Sequence, residues 1–316
     1  MNRSLSRRDF LSSALGMSFA VSGGTVTTLP AKEPHLQAPV QARDRLAVTS
    51  YPFRAWIESP TNRARDPEKP GMTLMDFPAM VVRRFGVHNI NPISDHFRST
   101  KPAYLDEFRK AVERVGSHMV GLGLGGAKFY DPTTAERRRA VEYGKKWIDI
   151  AVFVGSPSVR PHIQKSDGLS PDVGRATESL SRLAEYGAKK NVVVNLENDS
   201  PGSENPFFIV AVIEKADNPY LRALPDFGNS IRGKDTAYNQ KAVAAMFGHA
   251  FNMSHVKDTI RRDHGVVYKI NVGKLFGIAK ASGYRGYFSM ECDIGPEGDP
   301  FKGTQRLIRE SLQYLS

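Results

Sequence analysis

The sequence predicts an α/β fold, a (β/α)8 TIM barrel, over residues 43–316 of its 316 residues. Three observations predict it. Short apolar runs alternate eight times with longer amphipathic segments, the pattern of parallel strands and their crossover helices. Glycines stand at several ends of the amphipathic segments, where a left-handed residue stops a helix. Four apolar runs end on an acidic residue or a histidine, and barrels of this type gather their active sites at the C-terminal ends of the strands. An open doubly wound sheet is the competing arrangement; eight repeats favour closure.

In order, the strands are expected at 46–53, 87–93, 118–125, 158–162, 191–198, 221–226, 250–256 and 284–292. The helices are expected at 74–85, 104–115, 134–153, 171–189, 207–215, 239–247, 272–282 and 301–315, with Gly86, Gly116, Gly187, Gly248 and Gly283 marking ends. The polar stretches 58–71 and 199–206 follow the first and fifth strands and read as loops at the catalytic face. Gly121, Gly123 and Gly126 spell GxGxxG across the third strand. No helix start follows directly, and no strand-end acid stands about 20 positions on, so dinucleotide binding is set aside. The glycines read instead as keeping the barrel mouth open.

The N-terminus is excluded from the barrel. Ser6-Arg7-Arg8-Asp9-Phe10-Leu11 is a twin-arginine pattern, followed by an apolar stretch at 11–21 and small residues around Val40-Gln41-Ala42. The stretch is too short and too rich in Gly and Ser to span a bilayer. Residues 1–42 are therefore expected to be an export signal and leader, and 43–316 a single domain. The expected location is periplasmic or secreted. The twin-arginine machinery is the expected export partner, with no stable membrane anchor. Cys292 is the sole cysteine, so no intramolecular disulfide forms. The formal net charge is +11, but no basic stripe with interleaved aromatics is present. Arg137-Arg138-Arg139 shares its helix with Glu136 and Glu142 and reads as a solvated face. Nucleic acid is not an expected partner.

The runs VVVNLE, LRALPD, AFNMSH and YFSME end on Glu197, Asp226, His255 and Glu291, roughly one strand plus one helix apart. A closed barrel brings these side chains together at one mouth. Three carboxylates and one imidazole suit a single divalent ion of six-fold geometry, Mn²⁺, Mg²⁺ or Co²⁺; Zn²⁺ accepts the same ligand types. Lys257 lies two residues after His255 and shares its face of a continuing strand. It is placed to donate to a developing oxyanion, the alternative being a salt bridge to Asp258 or to a ligand carboxylate. Arg160 and His162 share one face of the fourth strand and are candidates to contact substrate hydroxyls, with a structural role as the alternative. Trp56, with Tyr51 and Phe53, is a candidate to stack on a ring of the substrate, against simple core packing. Asp263-His264 reads as a solvated turn rather than a second metal site.

Asn195-Leu196-Glu197-Asn198, Pro225-Asp226-Phe227-Gly228-Asn229, His255-Val256-Lys257-Asp258 and Met290-Glu291 resemble the xylose isomerase-like barrels, also called the sugar phosphate isomerase/epimerase family. The resemblance covers the chain beyond its leader. It implies that Glu197, Asp226, His255 and Glu291 bind one metal, as the matching residues do in the family's ketose 3-epimerases. Asn229 stands where some members carry a histidine ligand, and fits better as an orienter of water or substrate. The family also holds isomerases, inosose dehydratases and endonuclease IV, so membership alone does not fix the reaction. The expected function is a metal-dependent isomerase or epimerase that removes a proton next to a carbonyl of an unphosphorylated sugar or keto-sugar. Glu197 and Glu291 would flank the substrate carbon and Lys257 would assist. A 3-keto-glycoside lyase and a non-catalytic sugar-binding barrel are the alternatives.

Overall fold

The computed structural model describes residues 33–35, 38–231, 235–262, 266–293 and 298–315. Arg7-Arg8 and Asp263-His264 lie outside the described residues. The strands are β1 (Leu46–Thr49), β2 (Asn89–Asn91), β3 (His118–Met119), β4 (Leu122–Ala127), β5 (Ser158–Ile163), β6 (Val193–Glu197), β7 (Leu221–Leu224), β8 (Met253–Val256), β9 (Thr259–Arg262), β10 (Val266–Lys269) and β11 (Tyr287–Met290). The helices are α1 (Phe77–Phe85), α2 (Pro102–Arg114), α3 (Thr134–Val154), α4 (Val173–Lys190), α5 (Pro206–Ala216), α6 (Thr236–Phe247), α7 (Val272–Ala281) and α8 (Pro300–Leu315).

Strands run parallel around the barrel, and β1 pairs both with β2 and with the last strand, β11. Two ladders, β3-β2-β1-β11-β8 and β4-β5-β6-β7, are joined by the parallel bridges Ile93↔Gly123, Ala223↔Ala250 and Asp226↔His255. The closed barrel expected from the eightfold alternation is therefore the one observed. Strand residues such as Leu46, Val48, Val193, Val194, Leu196, Leu221 and Ala223 are buried, which is why these runs read as continuously apolar. The helices turn one apolar stripe onto the sheet. In α4 that stripe is Ala176, Leu180, Leu183, Ala184 and Gly187, at the three- and four-residue spacing of a helix face.

Inside the barrel, beneath the mouth, Asn195 donates to Asn252 (2.7 Å), and Asn252 donates to the Val120 carbonyl and Ser158 Oγ (both 2.9 Å). Buried amides thus tie β6, β5 and the β3–β4 junction to the segment entering β8, each donor meeting an acceptor as burial demands.

Several expected boundaries move. β1 stops at Thr49, because Pro52 lacks a ladder donor and the chain turns through a 3-10 segment, Tyr51–Phe53. The third strand divides into β3 and β4. Helix α4 runs past Gly187 to Lys190 and stops at Asn191, which adopts the left-handed conformation (φ 53°). Gly187 is needed for a close approach instead, since a Cβ there would lie 2.3 Å from the Val192 carbonyl oxygen. The antiparallel hairpin β9–β10, a charged loop by sequence, is an addition to the barrel. The stretch 58–71 is a loop, tied down at its start: Asn62 Nδ2 donates to the carbonyls of Arg54 (2.7 Å) and Ile57 (2.6 Å), and Thr61 Oγ1 donates to the Asp95 carbonyl (2.9 Å). Among the described residues, no helix is long and apolar enough to cross a membrane.

Candidate active site

Glu197 is the last residue of β6, and Asp226 follows β7 by two residues. His255 lies in β8, and Glu291 follows β11 directly. Each offers one ligating atom, and these atoms all lie within 4.8 Å of one another. The strand-end spacing thus converges as expected, and all four side chains are buried.

Their orientation is set by neighbours. Asp226 Oδ1 accepts the backbone N–H groups of Gly228 (2.8 Å) and Asn229 (2.7 Å), a turn that the Asp-Phe-Gly-Asn run encodes locally. Asn198 clamps the same turn, accepting the Asp226 N–H (2.7 Å) and donating to the Asp226 carbonyl (3.1 Å). Oδ2 of Asp226 is left buried without a hydrogen bond, facing Lys257 Nζ at 3.1 Å. His255 Nε2 lies 2.9 Å from Asn91 Oδ1, an acceptor, so Nε2 carries a proton there. Its Nδ1 faces Glu197 Oε1 at 2.7 Å and Glu291 Oε2 at 3.4 Å. Glu197 Oε2 lies 3.1 Å from Arg160 Nε. Lys257 Nζ reaches Glu291 Oε2 (2.9 Å) and Asn229 Oδ1 (2.9 Å). Asp258 turns away to pair with Arg306 of α8, so Lys257 pairs with the cluster carboxylates and not with its neighbour.

Burial opposes every charge in this group, and the pairings decide which charges survive. Burial alone would raise the Glu197 carboxyl, but His255 and Arg160 outweigh it and hold the group well below the usual carboxylate range. Burial pushes Asp226 up to about 6 despite the pull of Lys257, with Glu197 and Glu291 adding repulsion. Burial would lower Lys257, His255 and Arg160; the neighbouring carboxylates raise all three instead. Three carboxylates are thus faced by one ammonium, one guanidinium and an imidazole drawn toward its charged form.

The donor set fits a divalent ion. Three carboxylates and an imidazole are the ligand types of oxygen-preferring metals. The Asn91 contact engages Nε2 and so leaves Nδ1 as the nitrogen turned to the cluster, as outer-shell partners of ligating histidines do. Oδ2 of Asp226, paired here with the Lys257 ammonium at 3.1 Å, is a further buried carboxylate oxygen of the cluster.

Above the cluster opens a cavity of about 240 Å³. Glu197, Glu291, Lys257, Arg160, His162 and Asn229 line it; Asp226 and His255 do not. Gly123 gives Arg160 room beside β4: a Cβ there would lie 3.2 Å from Arg160 Nη2 and 2.9 Å from Ile93 Cγ2. Within the GxGxxG pattern, Gly123 therefore makes room for a cationic side chain. His162 Nδ1 contacts Glu204 Oε1 at 2.8 Å, and Glu204 also accepts the Ile163 N–H (2.9 Å).

Trp56 does not line the cavity. It packs edge-on against Phe301 of α8 (5.9 Å), and Phe53 is buried in the core. Tyr51 holds the rim position instead, with the Arg54 guanidinium stacked 4.3 Å from its ring centre. A second compartment of about 450 Å³, lined by Arg54, Thr61 and Arg63 among others, borders the first across Tyr51, Ile93 and Asp95. Sequence reasoning missed Asn91, Asn198 and Glu204. Asn91 and Asn198 are polar residues at or next to strand ends, the same signal that marked the four cluster residues.

Residues 81–316 match the xylose isomerase-like TIM barrel family. No curated protein sequence matches the chain. The fold is similar to D-psicose 3-epimerase from Clostridium cellulolyticum H10, solved with D-tagatose, at 12% identity and TM-score 0.62, covering 85% of this chain and 96% of that one. It is also similar to a xylose isomerase-like TIM barrel protein from Mycobacterium smegmatis in complex with magnesium (17% identity, TM-score 0.64, 85% and 96% covered). A third similar fold is 3-keto-D-glucoside 4-epimerase from E. coli (16% identity, TM-score 0.60, 86% and 98% covered). At these identities the likeness establishes the fold. With three-quarters of its length matched by the family, the chain belongs to the xylose isomerase-like TIM barrels.

Proposed function

We propose that this protein is a metal-dependent sugar isomerase or epimerase that moves a proton at a carbon next to a carbonyl. The substrate is an unphosphorylated sugar or keto-sugar. One observation carries the reading: of the four cluster residues, only Glu197 and Glu291 line the cavity. Asp226 and His255 hold from below, while the two glutamates face both the cluster and the substrate space. They stand on β6 and after β11, with β7 and β8 between them, so they approach a bound carbon from different sides. One carboxylate takes the proton and the other returns one, which inverts the centre. Bound at the cluster, one divalent ion, Mn²⁺, Mg²⁺ or Co²⁺ before Zn²⁺, supplies Lewis acidity toward the carbonyl oxygen. Lys257 donates to the oxygen that gains charge. Arg160, His162 and Asn229 orient hydroxyls from the cavity wall.

The similar fold of a 3-keto-D-glucoside 4-epimerase fits this class. The compartment beyond Tyr51 favours a second reading, β-elimination from a 3-keto-glycoside, because it offers room for a leaving group beside the reacting sugar. The order of Arg7-Arg8, apolar stretch and small residues supports twin-arginine export of the folded enzyme to the periplasm or beyond.

The test is solvent deuterium incorporation into a panel of ketoses and 3-keto-glycosides by the Mn²⁺-loaded protein, followed by NMR. Deuterium at the carbon next to the carbonyl supports epimerisation; loss of the aglycone with it selects the lyase. Binding without exchange, unchanged in Glu197→Gln and Glu291→Gln, leaves a sugar-binding barrel.

A further inference from the structure

Lys257 is held unusually tightly for a lysine at the mouth of a cavity. Its ammonium makes three short contacts: Asp226 Oδ2 at 3.1 Å, Glu291 Oε2 at 2.9 Å and Asn229 Oδ1 at 2.9 Å. The side chain is buried, as are all three partners. Two of these acceptors belong to the four residues whose ligating atoms lie within 4.8 Å of one another. Asp226 has one oxygen to offer, Oδ2, because Oδ1 is committed to the N–H groups of Gly228 and Asn229. Its single remaining oxygen therefore faces the ammonium.

We infer that Lys257 and the divalent ion are alternative occupants of the same two carboxylate oxygens, Asp226 Oδ2 and Glu291 Oε2. This rests on the metal reading above and deepens it. An ammonium and a divalent cation sharing those oxygens would repel strongly at such short range in a buried site. Each cation satisfies the oxygens by itself. Without metal, Lys257 is the positive partner of the two buried carboxyl groups, whose burial is costly without one. When metal enters, the ammonium gives up the two carboxylates.

Asn229 gives this exchange a direction. Its Oδ1 remains an acceptor for Lys257, and both side chains line the cavity, whereas Asp226 does not. The flexible four-carbon stem of lysine allows the shift. The displaced ammonium is thereby delivered to the substrate side of the cluster. Metal loading and the positioning of a donor at the cavity become one event. Arg160 is not part of the exchange: its Nε faces Glu197 Oε2 and neither shared oxygen.

The experiment compares Mn²⁺ affinity, by calorimetry and by the electron paramagnetic resonance signal of free Mn²⁺, in the full chain and in Lys257→Met and Arg160→Met. Both substitutions remove one positive charge from the cluster, so a general electrostatic effect moves them alike. Exchange predicts that Lys257→Met binds Mn²⁺ at least about tenfold more tightly, and that Arg160→Met gains much less. Equal gains in the two variants, or no gain in Lys257→Met, overturn the inference while leaving a metal enzyme in place. Absence of Mn²⁺ binding in all three proteins overturns it together with the metal reading. If Lys257→Met is too unstable for titration, the Mn²⁺-induced rise in Tm replaces it: a rise larger than in the unsubstituted chain supports exchange, and an equal or smaller one contradicts it.

Discussion

Within the cluster, Asp226 and His255 each have one atom committed to the fold and one turned to the common point. Asp226 uses Oδ1 in its own turn, and His255 gives Nε2 to Asn91. Asn91→Ala should therefore weaken Mn²⁺ binding about 10- to 100-fold, the usual effect of removing an outer-shell partner, as read by titration calorimetry. Glu197→Gln and Glu291→Gln should each slow deuterium exchange about 10²- to 10⁴-fold. Sugar affinity, measured separately by saturation-transfer NMR, should change far less. The four cluster residues were legible because each closes an apolar run. Asn91 also ends a strand, but its run, Val-His-Asn-Ile-Asn, is not apolar, an amide carries no charge to mark it, and its partner lies 164 positions away. Its role appears only when β2 and β8 face each other across the barrel.

Strand β4 shows how an element shapes the site without touching chemistry. Gly123 leaves the space that Arg160 occupies. Gly123→Val should force Ile93 and Arg160 to shift, destabilising the fold by about 1–3 kcal/mol and raising KM as Arg160 moves. Denaturant melts and steady-state kinetics check the two parts separately. The eight strand–helix repeats were readable from periodicity, and their ends less so. Trp56 lies outside the cavity because the chain leaves the strand at Thr49 and turns through Tyr51–Phe53, which brings Tyr51 to the rim. Gly187 was read as a stop because glycine ends helices, yet its real constraint is a carbonyl of the chain just past the helix end. Hairpin β9–β10 was missed because its strands are short, carry charged residues and, in β10, are largely exposed.

For the whole molecule, acid should act through a histidine outside the cluster. His96 is fully buried, with Nδ1 2.8 Å from Ser50 Oγ and Nε2 unbonded. Burial foremost, with Arg54 nearby, pulls it from 6.5 down to about 3. Between those values the unfolded chain takes up a proton that the folded chain refuses, so folding stability falls as pH drops through this window. His96 alone contributes a slope approaching ~1.4 kcal/mol per pH unit midway between those values, about half that at pH 6.5, fading to nothing about a unit higher. His96→Gln should flatten the decline between about pH 6 and 4 in urea melts; an unchanged slope would assign it to the carboxylates. The central claim is that the barrel gathers four side chains around one ion. Anomalous diffraction from a crystal soaked in Mn²⁺ tests it most directly. A single peak coordinated by Glu197, Asp226, His255 and Glu291, with Lys257 turned toward Asn229, is the expected result. An empty cluster at saturating Mn²⁺, with Lys257 still bridging Asp226 and Glu291, would contradict it.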